Sequence, residues 1–275
     1  MTSLTVSIVT YQVNKQLFSK VLEGLGKAVR DAKGKSLLSQ TKLTVVDNGN
    51  DVSYLREEIA GQEDFEGRVI DNPDNVGFGR AHNQALLECD SDMHLVLNPD
   101  AVMHPDGLSE GLAYLAEHEE TVMISPYAEN SDGSKAYLCK RYPSVVDLFM
   151  RGFLPASLQE AASERLARYE CRDLDDTDAT AGVCVVSGCC MLAKTASLKA
   201  VNGFSDHYFF KKEDIKDIID QAEKENLSVV CTEKDFVKIP SEYKKFITPI
   251  KLDLKINESK RLLKIILNTI KVKKV

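Results

Sequence analysis

The sequence predicts an α/β fold with a doubly wound, mostly parallel sheet, followed by a small α/β appendage. Short apolar runs alternate along the first half of the chain with longer segments of helical periodicity. This alternation is typical of parallel sheets that are covered by helices on both faces. Apolar residues make up 43% of the 275 residues, which is enough to build a substantial core.

The first elements follow from apolar patterning and turn residues. Leu4–Val9 is a predicted strand, and Gln16–Ala32 is an amphipathic helix that ends near Gly34. Leu43–Asp47 is an apolar run closed by Asn48, Gly49 and Asn50, which predicts a buried strand and then a turn.

The same alternation continues to about residue 119. Its predicted elements are a short helix at Tyr54–Ile59, a strand at Gly67–Asp71, a Gly-rich turn and helix at Val76–Glu88, a strand at His94–Asn98 and a helix at Asp106–Glu119.

The later chain changes in character. Val145–Asp176 is predicted as mixed helix and loop, and Val183–Ala193 as a strand. After about residue 204 Lys and Ile dominate, so we predict one domain at 1–204 and a second segment at 205–275. The second segment contains a predicted helix at Asp214–Asn226, a strand at Leu227–Thr232 and a basic amphipathic helix at Glu258–Val272.

Charge and composition restrict the function. The net charge is −7, whereas a general nucleic-acid binder is more often basic, so no nucleic-acid partner is expected. No apolar run is long enough for a transmembrane span and the start does not resemble a signal peptide, so we expect a cytoplasmic protein. The seven Cys have irregular spacing without a CxxC pair, which favours free thiols over a zinc site or a disulfide framework.

The basic segment 251–275 allows two interpretations. It holds eight Lys or Arg against two acidic residues, and one face of its predicted helix is apolar. This composition suits a helix lying on an anionic membrane surface, through residues 258–274, at the inner face of the membrane. It equally suits a helix packed on its own domain with solvated lysines.

Polar residues follow three predicted strands. They are Thr10 and Tyr11, then Asp47 and Asn48, and then Asn98 and Asp100. In open α/β sheets ligands bind beyond the carboxyl ends of the strands. Asp47 suits hydrogen bonds from a nucleobase or ribose, and Asp100 suits a divalent cation that also touches phosphate. The alternative for each aspartate is a strand-end residue that caps the following turn.

The Gly-rich segment 72–83 opens a helix. Gly77 and Gly79 permit close approach of a ligand to the backbone, and the helix start offers N–H donors to an anion. The segment is neither a Walker loop nor a complete GxGxxG motif, so its spacing alone is a weak signal.

Several motifs together resemble family 2 glycosyltransferases of the bacterial rhamnosyltransferase-like branch. They are VSIVTY at 6–11, VVDN at 45–48, NPDNVGFG at 72–79, Asn83, LNPDA at 97–101, SG at 187–188 and VNGF at 201–204. The resemblance covers about residues 4–214. It implies a GT-A-like fold and inverting transfer of a sugar, with rhamnose as the donor sugar, from a nucleoside diphosphate to a glycan or a lipid-linked acceptor.

The resemblance also implies roles for residues. Asp100 would hold Mg²⁺ or Mn²⁺ on the diphosphate. The donor would be bound by Thr10, Tyr11, Asp47, Asn48, Gly77, Gly79, Asn83 and Asn98. Asp214, beside Glu213, would be the base that deprotonates the acceptor hydroxyl, which inverting displacement requires. Without the resemblance, the acidic pair would be explained as complementing a helix dipole.

The end of the chain departs from this family. Residues 204–275, with TEKDFVK at 232–238, resemble the C-terminal end of lipid A tetraacyldisaccharide 4′-kinases. The chain lacks the phosphate-binding loop of those kinases, so kinase activity is not implied. The sequence is therefore a hybrid of two patterns. The alternatives to an active transferase are a donor-binding protein with impaired catalysis and a module related to lipid A assembly.

Two further residues have competing interpretations. His82, on the helix after the Gly-rich turn, is predicted to be structural rather than catalytic. The positive charge of Arg141 suits contact with the acceptor or the diphosphate. The alternative is an arginine at the surface without such a role.

Overall fold

The computed structural model describes residues 1–49, 51–142, 144, 156–173, 183–205, 212–225, 227–232, 236 and 239–250. The chain divides into two compact units. The first consists of 1–140 and 175–209, and the second of 141–174 and 210–275. The passage at 209/210 lies close to the predicted boundary at 204/205, but the second unit also takes in an earlier segment of the chain.

The first unit contains the main sheet and its helices. Its elements are β1 (Thr2–Thr10), α1 (Lys15–Gly34), β2 (Leu38–Asp47), α2 (Val52–Ala60), β3 (Glu66–Asp71), α3 (Phe78–Glu88), β4 (Met93–Leu97), α4 (Gly107–Glu117), β5 (Met123–Ile124), β6 (Cys139–Lys140), β7 (Val185–Val186), β8 (Cys190–Lys194) and α6 (Thr195–Ala200). The helix between β6 and β7 in the chain, α5 (Ala156–Tyr169), belongs to the second unit.

The main sheet has the strand order β3-β2-β1-β4-β8-β5. Strands β1 to β4 pair in parallel, whereas β8 is antiparallel to both β4 and β5. The predicted α/β class with a mostly parallel sheet is therefore confirmed. The single strand predicted at 183–193 is wrong, because the chain breaks at Ser187–Cys189. β7 pairs with β6 before the break, and β8 joins the main sheet after it.

The main apolar core lies between one face of β1 and the helix α1. Leu4, Val6 and Ile8 belong to an apolar cluster with Phe18 and Leu22 of α1, all of them buried. Asn14 starts α1, since its side chain accepts a hydrogen bond from the Leu17 N–H at 3.2 Å. Burying side chains of this size contributes roughly 1.5–3 kcal/mol each, so this face of the sheet holds the unit together.

A polar network lies in the core between β1, α3 and β4. The Ser7 hydroxyl is 2.8 Å from Nδ1 of His82 and 2.8 Å from Nε2 of His94. Burial, with a smaller contribution from His94, lowers the pKa of His82 to about 3. Burial, with a smaller contribution from Lys199, lowers the pKa of His94 to about 4. Burial therefore keeps both rings neutral at pH 7. That His82 is structural rather than catalytic stays a prediction.

The second unit is small and mixed. Its described elements are α5 (Ala156–Tyr169), α7 (Lys212–Lys224), β9 (Val229–Thr232), a 3₁₀ turn at Lys244–Phe246 and β10 (Ile247–Ile250). β9 and β10 pair in parallel, and Ile215 and Ile219 of α7 share a small core with Ile247. The helix and strand predicted here are confirmed to within a few residues. The predicted basic helix at 258–272 lies outside the described residues.

Among the described helices, none is both long and apolar enough to cross a membrane.

Candidate active site

The polar strand ends meet at one edge of the sheet. Thr10 lies opposite Asp47 in the β1–β2 pairing, and Ile8 lies opposite Leu97 in the β1–β4 pairing, just before Asn98. We call this edge the strand-end site. It comprises Thr10, Tyr11, Asp47–Gly49, Asn75–Phe78, Asn98–Asp100 and Ser187–Cys189.

Asp47 organises the loop that follows β2. Its carboxylate accepts hydrogen bonds from the Thr10 hydroxyl at 2.9 Å, the Gly49 N–H at 3.0 Å and the Asp51 N–H at 2.6 Å. The residue is fully buried. These contacts match the turn-capping alternative considered from the sequence. A direct contact of Asp47 with a nucleoside stays a prediction.

Gly49 allows this loop to lie against the end of β1. A Cβ added at Gly49 would lie 2.6 Å from the Gln12 nitrogen and 3.1 Å from the Tyr11 Cα, so a larger residue would displace the backbone. Gln12, two residues after β1, has φ 53°, in the left-handed region that residues other than glycine rarely adopt. Tyr11 remains 45% exposed, and its ring is therefore accessible to a ligand at this edge.

Side-chain amides connect the β2 loop to the Gly-rich turn. The Asn72 amide donates to Asn48 at 2.9 Å and exchanges hydrogen bonds with Gln84 of α3 at 2.9 and 3.0 Å. The Asn75 side chain accepts from both the Asn48 amide and the Gly77 N–H. Asn48 is thus a neighbour of the glycine turn, which sequence reasoning did not establish.

The Gly-rich turn needs both of its glycines. Gly77 has φ 85°, in the region that strongly favours glycine, and it immediately precedes α3. A Cβ on Gly79 would lie 2.9 Å from the Cβ of Phe204. A Cβ on Gly188 would lie 2.6 Å from the Phe78 ring, so the Ser187–Cys189 segment packs directly on the start of α3.

The end of β4 completes the edge. The Asn98 N–H donates to the Cys189 carbonyl at 2.8 Å, and Asp100 follows as an exposed carboxylate. Burial, with a smaller contribution from Asp100, raises the pKa of the Cys189 thiol. The negative charge of Asp100 therefore acts within the strand-end site. Among the described residues, no group of three or more His, Cys, Asp or Glu side chains is arranged to hold a metal.

The side chain of Asn83 forms two hydrogen bonds with the backbone of Phe204, which is not part of the strand-end site. Its amide donates to the Phe204 carbonyl at 2.8 Å, and its oxygen accepts from the Phe204 N–H at 2.9 Å. Its predicted contact with a donor stays a prediction.

The predicted base belongs to the second unit. Asp214 is an exposed residue in the first turns of α7, and Glu213 precedes it in the same helix. Arg141, also in the second unit, pairs through two nitrogens with Asp173 at 2.7 and 2.8 Å. That carboxylate neutralises the guanidinium in this structure.

Sequence reasoning missed the amide side chains at Asn72, Asn75 and Gln84, and the packing of Gly188. The high density of Asn around the Gly-rich turn was the available signal, because amides can donate and accept in one network.

A cavity of about 260 Å³ lies away from this edge, along the first halves of β1–β3 and the end of α3. Four of its five charged side chains are paired, Arg68 with Glu88 at 2.8 Å and Lys42 with Asp90 at 3.8 Å. We therefore assign it no function.

Comparison with known proteins agrees with this geometry. Residues 7–201 match the model of glycosyl transferase family 2. The chain belongs to glycosyltransferase family 2. The matched region contains the complete strand-end site, and its mostly parallel α/β sheet is the GT-A-like fold that the resemblance implied. Residues 153–271 also match the model of tetraacyldisaccharide-1-P 4′-kinase.

Individual relatives of this family 2 domain are distant. An uncharacterized glycosyltransferase of Haemophilus influenzae is 28% identical over 74 residues, which are 26% of this chain and 28% of that protein. The mannosyltransferase PcManGT from Pyrobaculum calidifontis, solved with GDP-Man and Mn²⁺, is 18% identical with a TM-score of 0.46, covering 74% of this chain and 47% of its own. S. aureus TarS 1–349 is 15% identical with a TM-score of 0.45, covering 78% and 53%. The chain thus spans about half the length of these solved structures or less.

Proposed function

We propose that this chain transfers a sugar from a nucleoside-diphosphate donor to a glycan or lipid-linked acceptor with inversion at the anomeric carbon. The observation that carries the proposal is the convergence of Asp47–Gly49, Gly77–Phe78 and Asn98–Asp100 at one sheet edge, inside the region that matches family 2. Ligands of open α/β sheets bind at such edges.

The donor would lie across this edge. The exposed Tyr11 ring offers a stacking face to the base, beside the loop that Asp47 and Thr10 hold in place. Asn48 and Asn98 offer amides to the ribose and the phosphates. Gly77 has no side chain to cap α3, and the N–H groups of Phe78 and Gly79 at the start of this helix would bind the diphosphate.

A divalent cation fits Asp100. Mg²⁺ and Mn²⁺ are commonly held by one or two carboxylates together with the phosphates of the substrate. Asp100 is an exposed carboxylate at the strand-end site, so it supplies one such ligand and leaves the remaining positions to phosphate and water. When bound, the cation would stabilise negative charge on the departing diphosphate.

Asp214 is the proposed base. As the acceptor oxygen bonds to the anomeric carbon, the bond from that carbon to the diphosphate breaks and the electron pair leaves with the diphosphate. The acceptor proton passes to a carboxylate on the face opposite the leaving group. The support for Asp214 is its position in the family pattern after the Gly-Phe motif, with Glu213 beside it.

The metal role of Asp100 gives a direct prediction. We expect the chain to bind UDP, GDP or dTDP measurably more tightly with Mn²⁺ than without it. Asp100→Ala should weaken the Mn²⁺-dependent binding at least about tenfold, or ~1.4 kcal/mol, because a charged ligand to the cation is lost. Isothermal titration calorimetry with each nucleotide measures this.

Asp90→Ala is the matched control, since Asp90 is an exposed aspartate before β4, at the opposite end of that strand. It should bind like the unmodified chain. Equal affinity in Asp100→Ala and the unmodified chain would remove Asp100 from the metal site.

The match to the tetraacyldisaccharide-1-P 4′-kinase model at 153–271 supports a lipid-linked acceptor as the finer assignment, because the substrate in that family's name is an acylated sugar. We propose rhamnose as the donor sugar and lipopolysaccharide or related polysaccharide assembly as the setting, both on family resemblance. A donor-binding protein with impaired catalysis is the alternative, and it predicts nucleotide binding without any cleavage of the donor sugar.

A further inference from the structure

An exposed aromatic residue lies at the start of α3, in the strand-end site. Phe78 is the first residue of this helix and remains 40% exposed. Its ring nevertheless has close neighbours, because it lies edge-on to His82 at 4.3 Å and to Phe204 at 5.8 Å between ring centroids. A Cβ on Gly188 would lie 2.6 Å from the Cζ atom at the tip of the ring. The ring is thus held by its neighbours while part of the residue stays accessible to a ligand.

The Gly-rich turn before α3 connects the two sides of the strand-end site. On one side, the Asn75 side chain accepts a hydrogen bond from the Asn48 amide, directly after β2. On the other side, the Phe78 ring packs against Gly188, in the segment that precedes β8. The strand order is β2-β1-β4-β8, and the start of β8 lies beside the end of β4. A ligand that extends along this edge from Asn48 therefore crosses the ends of β1 and β4 before it reaches Phe78.

This order indicates which part of a nucleotide sugar each residue would contact, and this step rests on the proposed function. That proposal puts the nucleoside at Tyr11 and the loop after β2, and the diphosphate at Asp100 and at the N–H groups of Phe78 and Gly79. The sugar is bonded to the outer phosphate and extends away from the nucleoside, which at this edge is toward Gly188. The backbone of Phe78 would then contact the diphosphate, and its side chain would contact the sugar.

The side chains around Phe78 suit an apolar surface of the ligand. Gly188 has no side chain, Phe204 is aromatic, and His82 is fully buried. A pyranose sugar carries its hydroxyl groups around the ring and C–H groups on its faces, so packing such a face on an aromatic ring removes apolar surface from water and leaves the hydroxyls solvated. We infer that Phe78 is a specificity-determining residue that packs against the C–H face of the donor sugar, and that Gly188 is required for the position of its ring.

The experiment separates the sugar from the nucleotide. Isothermal titration calorimetry with Mn²⁺ gives the Kd of UDP-GlcNAc, GDP-mannose and dTDP-rhamnose, and the one bound most tightly is compared with its own nucleoside diphosphate. Phe78→Ala should raise the Kd of the nucleotide sugar at least about fivefold, because the apolar face of the sugar stays in water. The Kd of the nucleoside diphosphate should change less than about twofold, since the variant keeps the backbone N–H groups.

Two further variants serve as comparisons. Leu87→Ala removes another exposed apolar side chain, near the other end of α3, and should leave both Kd values unchanged. Tyr11→Ala should raise both Kd values by the same factor, because the Tyr11 ring would contact the base that both ligands share.

Gly188→Ala tests the position of the ring without removing it. The added methyl group would collide with the Phe78 ring, so this variant should also raise the Kd of the nucleotide sugar, at least about threefold. In a Phe78→Ala background it should change that Kd less than about twofold, because the ring that it displaces is gone. If Phe78→Ala does not fold, Phe78→Leu replaces it in each comparison, since leucine fills the space beside Phe204 without a flat ring.

The outcomes distinguish this inference from the proposed function. If the unmodified chain binds neither nucleoside diphosphates nor nucleotide sugars, the proposed function is overturned and the inference with it. If the unmodified chain binds a nucleotide sugar, but the Phe78 variant raises both Kd values by the same factor or changes neither, only the role of Phe78 is overturned. An equal effect of Gly188→Ala with and without the Phe78 ring also overturns that role.

Discussion

Replacing Asp47 with alanine is expected to lower the free energy of unfolding by about 4 kcal/mol, since each unsatisfied buried polar group costs roughly 1–3 kcal/mol. The carboxylate is fully buried and accepts from the Thr10 hydroxyl and from the Gly49 and Asp51 N–H groups. The Thr10 hydroxyl can rotate toward another acceptor, but the two N–H groups are held by the loop. Urea denaturation at pH 7 measures the change.

Asp71→Ala provides the comparison for this variant. Asp71 lies opposite Asp47 at the end of the adjacent strand, but it is exposed. It should change the unfolding free energy by no more than about 0.5 kcal/mol. If Asp47→Ala were as stable as Asp71→Ala, the loop would not depend on the carboxylate. Nucleotide affinity does not distinguish a structural role of Asp47 from a direct contact with the nucleoside, because loss of the loop structure would also weaken binding.

The chain is expected to lose stability steadily as the pH falls from 7 to 5, well before its carboxylates titrate. In the folded state the pKa values of His82 and His94 are lowered to about 3 and about 4 by burial. In the unfolded chain they return to about 6.5. Between these pKa values the unfolded state binds more protons than the folded state. The free energy of unfolding is therefore at its full value above about pH 6.5 and decreases as the pH falls toward 4. The limiting slope is about 1.4 kcal/mol per pH unit for each histidine.

Urea denaturation at pH 7, 6 and 5 tests this expectation. The His82→Gln/His94→Gln variant should show a much flatter pH dependence than the unmodified chain, whatever its absolute stability. His104→Gln is the matched control, because its side chain is 77% exposed, and it should keep the original slope. An unmodified chain whose stability does not change between pH 7 and 5 would contradict the assignment of two buried neutral rings.

The central strands β1, β2 and β4 were predictable because they contain residues buried on both faces of the sheet, so their sequences are nearly continuous apolar runs. Leu43–Asp47, for example, marked the carboxyl end of β2 correctly, although the strand begins earlier, at Leu38. Residues 38–42 were missed because four of them, Ser39–Lys42, are polar and do not form such a run. The break at Ser187–Cys189 was missed because β7 and β8 are both apolar, and only pairing with different partners separates them.

At the candidate site, the residue types in the sequence correctly predicted where the polar side chains lie, but not which groups they contact. Asp47 and Asn98–Asp100 do lie at one edge, as strand ends require. The sequence could not show that Asp47 faces inward, because Gly49 and Asp51 become its partners only when the loop folds. Asn83 shows the same limit, since its hydrogen-bond partner Phe204 is 121 residues away and no local pattern connects the two.

The distance in sequence between β4 and its partner β8 affects folding during synthesis. During synthesis β1 to β4 can pair as they emerge, but the outer edge of β4 stays unpaired until residues 190–194 follow, after the chain has passed through 141–174 of the other unit. An open edge of this kind invites pairing with a second molecule. Fragments that stop short of residue 190 should therefore aggregate, and a useful expression boundary for the first unit must lie beyond β8.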